Sequence, residues 1–223
     1  MRCFFAAAVD FLALFPDGPD NKRMKYILLA LILAQTSVFA SVVGISSHPL
    51  NPEARVLSAE MTGYMSQRNE MGGGLRYTHE IEEGRLMDFS VAGAQDSRGL
   101  MMGAGMDFEL LKEDIYQPRV SFKPYIQYQK FENTKNNMIG AAPIIRKGFS
   151  TQGVEVFPYL SLPTGMKIDG ASDEFKFYSS LTLGASMPFP GSGTDKVLLS
   201  LEGNKDFGAS SDYVGCLVSW VWK

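Results

Sequence analysis

The sequence of 223 residues is poor in the side chains that most often carry chemistry. It contains 2 cysteines and 2 histidines. Cys3 lies in a stretch that we expect to be absent from the mature protein, so Cys216 has no cysteine with which to form an intramolecular disulfide. The sequence also lacks zinc-ligand spacing, a nucleophile elbow and a phosphate-binding loop. We therefore predict no catalytic residue, no metal site and no cofactor.

An excess of positive charge is missing as well. The chain has 21 lysines and arginines against 24 aspartates and glutamates, which gives a formal net charge of −3. Proteins bind phosphate backbones through clustered basic side chains, and the sequence shows no basic patch. We therefore predict that nucleic acid is not a partner.

Long apolar runs are scarce, and the sustained one covers only residues 26–34. A helix needs about 20 apolar residues to span a bilayer comfortably, so this run is too short. Basic residues precede it and small residues ending at Ala40 follow it, which is the pattern of a cleaved secretory signal peptide. We predict an upstream extension outside the mature protein (1–23), a signal peptide (24–40) cleaved after Ala40, a periplasmic lead-in (41–52) and a folded domain (53–223).

What the chain has in abundance is alternation of apolar and polar residues. In its last stretch one face holds the larger apolar side chains, namely Val214, Cys216, Val218, Trp220 and Trp222. A period of two is the side-chain repeat of a β-strand. The same alternation recurs in nearly every segment after residue 53, between groups of turn-forming residues. The pattern predicts an all-β domain.

The number of alternating segments is about ten, and eight remains possible. Single-chain bacterial barrels have an even number of strands, so ten is favoured over nine. We predict a closed antiparallel up-and-down transmembrane β-barrel. Residues 138–147 alternate poorly and predict only a weak strand, with loops over 132–137 and 163–173. Pro124 lacks a ladder donor, which predicts a β-bulge inside its strand.

Alternation alone does not decide which face is outside. A soluble barrel exposes many Lys and Glu side chains, whereas the polar face here is mostly Gly, Ser, Thr, Ala, Gln and Tyr with scattered charges. The apolar face is almost free of charge, and a closed barrel pairs every backbone group that lipid cannot. We therefore favour a membrane barrel. The alternative is a secreted lipocalin-like barrel that binds a hydrophobic ligand inside.

From residue 53 onward the chain resembles the small outer-membrane β-barrel proteins of Gram-negative bacteria. Its ending, Val218-Ser-Trp-Val-Trp222, is similar to the C-terminal signal by which such proteins are recognised for assembly, although Lys223 stands where a terminal aromatic is usual. The resemblance implies an outer-membrane location, contact with outer-membrane lipid and with the barrel-assembly machinery, and a membrane girdle that includes Val218, Trp220 and Trp222. It identifies no subfamily.

The two histidines do not form a catalytic pair in the sequence. His48 lies in the lead-in, where we expect a solvated loop residue. His79 falls on the lipid face near the periplasmic end of its strand, where an interfacial role is favoured. Barrel proteases similar to omptins need Asp and His at the outer rim, and barrel lipid A deacylases need His and Ser on the lipid face; the sequence shows neither. We predict a non-enzymatic protein, with an outer-membrane hydrolase as an open alternative.

The polar face carries a row of charged residues that would reach similar heights in the lumen if the hairpins pair about their turns. Four carboxylates would then share one lysine, with an arginine nearby. These residues are Glu60, Arg76, Glu80, Asp88, Asp107 and Lys123. Such a row predicts either a salt-bridge plug or a weak cation site. We favour the plug because small barrels usually fill their interiors with side chains.

Together these features favour an outer-membrane barrel that is structural or allows porin-like passage of small solutes. Its lumen would be mildly acidic and filled by side chains. If the lumen opens, a small cationic solute is the possible ligand.

Overall fold

The computed structural model describes residues 48–50, 53–64, 71–94, 99–131, 134–151, 154–170, 174–189, 197–207 and 212–222. The predicted upstream extension, the signal peptide with its cleavage after Ala40, most of the lead-in and Lys223 lie outside the described residues. Within the described ranges, no helix is both long and apolar enough to cross a membrane.

The described part of the chain contains twelve β-strands. They are β1 (Arg55–Tyr64), β2 (Met71–Glu82), β3 (Arg85–Ala94), β4 (Leu100–Leu111), β5 (Arg119–Phe131), β6 (Thr134–Arg146), β7 (Phe149–Thr151), β8 (Val154–Ser161), β9 (Thr164–Asp169), β10 (Phe175–Pro188), β11 (Val197–Asp206) and β12 (Tyr213–Trp222).

Two pairs of these strands lie end to end, so the barrel has ten spanning strands. A single register relates β6 and β7 to β8 and β9, from the pair Asn136↔Asp169 to the pair Thr151↔Val154. The break between β8 and β9 falls at Pro163, which has no backbone N–H to donate to the ladder. The chain nevertheless continues in the same direction and in the same register.

The sheet closes on itself through the two ends of the domain. β1 pairs with β12 over ten residues, from Arg55↔Trp222 to Tyr64↔Tyr213. β10 pairs with β11, and β6 and β10 flank the combined β8 and β9. Every spanning strand therefore has two antiparallel neighbours, and the predicted closed up-and-down barrel is confirmed with ten strands.

We call the end of the barrel at which β1 begins and β12 finishes the terminal end, and the opposite end the loop end. Two sequence predictions about connections at the loop end are wrong. β6 is a full strand that pairs with β5 over its whole length, so residues 134–137 are not a loop. Most of the predicted loop over 163–173 is β9, which pairs with β6 and β10. At the start of β6 the alternation of apolar and polar residues is poor, because Lys135 and Asn137 are exposed polar residues on the outer face. They lie near the loop end, where the outer face of a strand need not be apolar.

The predicted bulge at Pro124 is also wrong. The pairing of β5 with β6 keeps one register from Arg119↔Arg146 to Phe131↔Thr134. Register shifts lie instead between Glu80 and Glu82 in β2 and between Glu109 and Leu111 in β4, both near the terminal end. A missing N–H therefore costs one ladder bond at Pro124 without inserting a residue.

The two faces of the strands have opposite exposure. Leu75 and Ile126, on the apolar face, are 50% and 60% exposed, whereas Ser58, Thr182 and Ser200 on the polar face are fully buried. The apolar face is therefore outside and the polar face lines the lumen. A lipocalin-like binder needs the reverse arrangement, so that alternative does not fit the fold.

Large side chains cross the narrow lumen where a neighbouring strand supplies glycine. Tyr159 on β8 passes over Gly184 on β10, and a Cβ atom at Gly184 would lie 2.5 Å from the Tyr159 ring. The hydroxyls of Tyr125 and Tyr178 hydrogen-bond each other beside Gly140. The interior is thus packed by side chains that have no room for a Cβ atom beneath them.

Replacement of Gly184 by alanine should destabilise the barrel by about 1–3 kcal/mol, because the added methyl group displaces Tyr159. The matched control is Gly63→Ala, since no atom lies within 4 Å of the Cβ that this substitution adds. Urea unfolding midpoints in detergent micelles measure both effects. Equal midpoints for the two variants would contradict the packing of Tyr159 over Gly184.

Candidate functional site

Four charged side chains from four different strands meet in the lumen and form what we call the central cluster: Glu60, Arg76, Asp88 and Lys123. The Arg76 Nε donates to Glu60 Oε1 at 2.5 Å, and Arg76 Nη1 donates to Asp88 Oδ1 at 3.2 Å. The other oxygen of Asp88 pairs with Lys123 Nζ at 2.8 Å. The cluster is therefore a continuous chain of ion pairs from β1 to β5.

The strand between Asp88 and Lys123 lets these two side chains meet. β4 places Gly105 beside Asp88, and a Cβ at Gly105 would lie 2.9 Å from Lys123 Cε and 3.3 Å from Asp88 Oδ2. Gly105 on the lumen face thus clears the path along which Lys123 and Asp88 reach one another.

The central cluster is cut off from water. Arg76 is 2% exposed and Lys123 is 1% exposed, and both carboxylates are buried as well. Two acids balance two bases, so the group carries no net charge. Removal of one member of such a buried ion-pair network typically costs about 3–5 kcal/mol, because the remaining charge loses its partner.

A second group, which we call the rim cluster, lies nearer the terminal end and contains Asp107, Glu109 and Arg119. Arg119 Nε donates to Glu109 Oε2 at 2.7 Å, and Arg119 Nη2 lies 3.4 Å from Asp107 Oδ1. Ser121 Oγ donates to Asp107 Oδ2 at 3.2 Å. Among the described residues, no group of three or more His, Cys, Asp or Glu side chains is arranged to hold a metal ion.

A third polar group joins distant strands through a carboxylate. Glu202 on β11 accepts hydrogen bonds from the Tyr159 hydroxyl at 2.5 Å and from the Tyr213 hydroxyl at 2.9 Å. All three side chains are buried. Because β8 and β12 lie on opposite sides of β10 and β11, Glu202 ties together a wide arc of the wall.

The structure distributes the six predicted lumen residues over different environments. Glu60, Arg76, Asp88 and Lys123 come together in the central cluster, and Asp107 joins Arg119 in the rim cluster. Glu80 is buried in the lumen and accepts a hydrogen bond from the Gly84 N–H at 3.2 Å. Its second oxygen, Oε2, has no hydrogen-bond partner among the described residues.

Sequence reasoning missed several residues of the lumen network. It expected one lysine to serve four carboxylates, whereas the buried charges number five acids and four bases in the described part of the chain. Arg119 shares the inward parity of Ser121 and Lys123, so alternation alone would have placed it inside. Arg146, which pairs with Glu113 at 3.0 Å, ends a strand that alternation predicted poorly.

The lumen beside the central cluster is nearly full. A cavity of about 20 Å³ is lined by Arg76, Asp88, Lys123 and Tyr125 among others. A space of this size holds about one water molecule. The side chains of the central cluster thus leave little space beside them in the lumen.

The outer face carries a long apolar furrow and a group of aromatic rings. The furrow, about 820 Å³, runs between rows of outward side chains that include Leu75, Phe89 and Met102. Near the terminal end, the Trp222 ring lies 6.5 Å from the Tyr77 ring. Tyr77 in turn stacks on His79, as expected for a histidine on the outer face, with 6.4 Å between ring centroids.

The remaining members of the predicted girdle also face outward. Trp220 pairs in the ladder with Leu57 and Val197, and Val218 pairs with Ala59 and Leu199. Both are partly exposed, in contrast to their buried chain neighbours Leu217 and Ser219. Their roles in assembly remain predictions.

His48 is not a solvated loop residue, contrary to the sequence prediction. It is 5% exposed and packs edge-to-face on Phe157, with 4.9 Å between ring centroids. Its Nδ1 lies 3.5 Å from Ser186 Oγ. Nearby, Leu50 packs against the buried Val56 and Leu198. The end of the lead-in is therefore docked into the terminal end of the barrel.

Comparison with known proteins finds similarity among solved structures. No protein-family model matches the chain, and no curated protein matches it either. Solved structures that it resembles include the COG4313 outer membrane channel from Pseudomonas putida F1, with 11% identity and a TM-score of 0.45 over 78% of this chain and 97% of that one. Omp33 from Acinetobacter baumannii shows 9% identity and a TM-score of 0.37 over 78% of this chain and 100% of that one.

A de novo designed transmembrane β-barrel shows 7% identity and a TM-score of 0.37, over 78% of this chain and 100% of the design. None of these three similarities identifies a subfamily.

The docking of His48 predicts a loss of stability in mild acid. Burial, followed by the nearby Arg146 guanidinium, lowers the pKa of His48 from 6.5 to about 4. The unfolded chain therefore binds more protons than the folded chain between these two values. The contribution of neutral His48 is fully present above pH 6.5 and is lost as the pH falls toward 4.

The urea unfolding midpoint of the wild type should therefore fall more steeply over this pH range than that of His48→Gln, whose side chain does not titrate. The variant is the control for the carboxylates, which titrate in both proteins. An NMR titration that finds the folded His48 imidazole at its ordinary pKa would contradict the docking.

Proposed function

We propose that this protein is an outer-membrane β-barrel whose lumen is closed by its own charged side chains. The observation that carries the proposal is the central cluster, a buried chain of ion pairs from Glu60 to Lys123 inside a wall whose exterior is apolar. An open diffusion pore needs a continuous water path, and this cluster leaves room for about one water molecule.

The exterior supports a membrane location. Outward side chains on nearly every spanning strand are large, apolar and exposed, among them Phe89, Met102, Ile126 and Leu183. Soluble monomeric proteins rarely expose apolar patches beyond a few hundred Å². Contact with lipid makes an exposed apolar surface favourable. The closed hydrogen-bond ladder also leaves no strand edge unpaired in the hydrocarbon region.

We further propose that lipid and the barrel-assembly machinery are the partners of Val218, Trp220 and Trp222. These residues lie on the last strand, at the terminal end and on the outer face. The cluster of Trp222, Tyr77 and His79 supports a position where hydrocarbon meets headgroups, because amphipathic rings are favoured there.

Porin-like passage of small cations is the second candidate function. It is favoured by the excess of one acid among the buried charges of the described residues. Passage would require the ion pairs of the central cluster to separate, so that carboxylates such as Glu60 and Asp88 could contact a passing cation. The structural role needs no such opening.

A non-enzymatic protein remains our proposal. His48 contacts Ser186, but both side chains are buried and a substrate would not reach the serine. His79 lies on the outer face, stacked on Tyr77. Neither histidine is placed like a general base beside an accessible nucleophile.

Membrane assembly can be tested on the last strand. Replacement of both Trp220 and Trp222 by aspartate should abolish insertion, because charge replaces two outward aromatic rings at the membrane girdle. Cell fractionation combined with heat-modifiable gel migration measures insertion and folding. Replacement of both residues by phenylalanine is the matched control and should insert. Recovery of the wild type as a soluble periplasmic protein would overturn the membrane proposal.

Closure of the lumen can be tested by electrical recording. The wild type should give little or no current in planar bilayers, whereas Arg76→Ala should conduct and prefer cations, because it removes the guanidinium that pairs with both Glu60 and Asp88 and leaves two carboxylates with one lysine. Adding Glu80→Gln to Arg76→Ala should weaken the cation preference. Lys112→Ala, which removes an exposed ion pair outside the lumen, is the control and should behave as the wild type.

Heat-modifiable migration must first show that each variant forms a barrel. A large open-pore current from the wild type would contradict the closed lumen. An unselective current from Arg76→Ala, unchanged by Glu80→Gln, would remove the cation pathway and leave the structural role.

A further inference from the structure

The connection between β4 and β5, at the terminal end, exposes an unusual set of apolar side chains. Ile115 is 84% exposed and Tyr116 is 93% exposed. Leu110 and Leu111, which end β4, are also exposed, and so is Phe149 on the neighbouring β7. We call these five residues the terminal-end patch. Exposed apolar patches of this kind mark surfaces that bind a membrane or another protein.

The tip of this connection is held by hydrogen bonds. Asp114 Oδ1 accepts from the backbone N–H of Tyr116 at 2.7 Å and of Gln117 at 2.8 Å. The Gln117 side chain donates to the Lys112 carbonyl at 2.8 Å. The tip therefore presents Ile115 and Tyr116 in a defined conformation.

Lys147, between β6 and β7, also holds the β4–β5 connection. Its ammonium group donates to the backbone carbonyls of Asp114, Ile115 and Gln117. Carbonyl groups that already have donors lose less when water is withdrawn from them. The loop is thus suited to a surrounding less polar than water.

The turn between β2 and β3, at the same end of the barrel, is built differently. It exposes Glu82, Glu83 and Arg85, which pair with charged neighbours. A turn of this composition belongs in water. The contrast indicates that the terminal-end patch is a feature of the β4–β5 connection that the β2–β3 turn does not share.

We propose that the terminal-end patch inserts into the headgroup region of the membrane leaflet at the terminal end and anchors the barrel there. Leu110 belongs to the outward face of β4, so the patch continues the apolar surface that lipid covers on the barrel wall. Tyr116 supplies the amphipathic ring that is favoured at such interfaces. This inference rests on the proposed membrane location and adds a second contact to it.

Site-directed spin labelling tests the anchor in the whole protein. A nitroxide is attached at Tyr116→Cys in a Cys216→Ser background, and the barrel is reconstituted in vesicles of phosphatidylethanolamine and phosphatidylglycerol. Power saturation compares collisions of the label with oxygen, which concentrates in lipid, and with a nickel chelate, which stays in water. Labels at Ile126→Cys on the barrel wall and at Glu83→Cys in the polar turn are the references for lipid and for water.

The label at Tyr116 should show an oxygen-to-nickel collision ratio several-fold above that at Glu83, and Lys147→Ala should lower this ratio by releasing the loop. A ratio equal to that at Glu83, with Ile126 in lipid, would overturn the anchor and leave the membrane barrel intact, and a protein partner would then be the occupant to seek. A label at Ile126 that reports water would overturn both proposals. Heat-modifiable migration confirms that each labelled barrel has folded.

Discussion

The closed hydrogen-bond ladder is the constraint on which the rest of this structure depends. Strands in hydrocarbon cannot give unpaired N–H or C=O groups to water, so each needs a neighbour on both sides. β1 and β12 meet this requirement by pairing over ten residues, and the combined β8 and β9 do so despite Pro163. Once the ladder closes, side chains of one parity must point inward, whatever their polarity. The lumen therefore receives the polar half of every strand.

The polar interior replaces the apolar core of a soluble domain. A buried carboxylate or guanidinium without a partner costs several kcal/mol, so the inward charges are stabilising only as complete networks. The central cluster, the rim cluster and the Glu202 group each combine acids with donors from different strands. Glycines such as Gly105 and Gly184 make these contacts possible, because long side chains from neighbouring strands lie over them, where a Cβ atom would collide with those side chains. The same glycines therefore determine both the packing of the lumen and its ion pairs.

Sequence alone predicted the barrel and the faces of its strands because period two survives in most of them. It also placed Glu60, Arg76, Asp88 and Lys123 on the lumen face, since parity and turn positions fix both side and approximate height. Arg119 and Arg146 were missed because they lie at strand ends, where sequence gives boundaries poorly. β9 was missed because polar residues and glycine continue a strand beyond the apolar band. His48 could not be placed, since its site is formed by Ser186, which lies 138 residues later.

The seam between the first and last strands has a consequence for how the protein is made. Its ten paired positions join Arg55 to Trp222 and Tyr64 to Tyr213, so the final strand must be available before the ring can form. Contacts so distant in sequence are slow to form, because a long loop must be ordered first. Until that moment β1 and β11 each have an unpaired edge, which is a template for aggregation. The unfolded chain therefore has to be kept apart from other unfolded chains until β12 is available. A partly formed barrel without β12 keeps both edges unpaired.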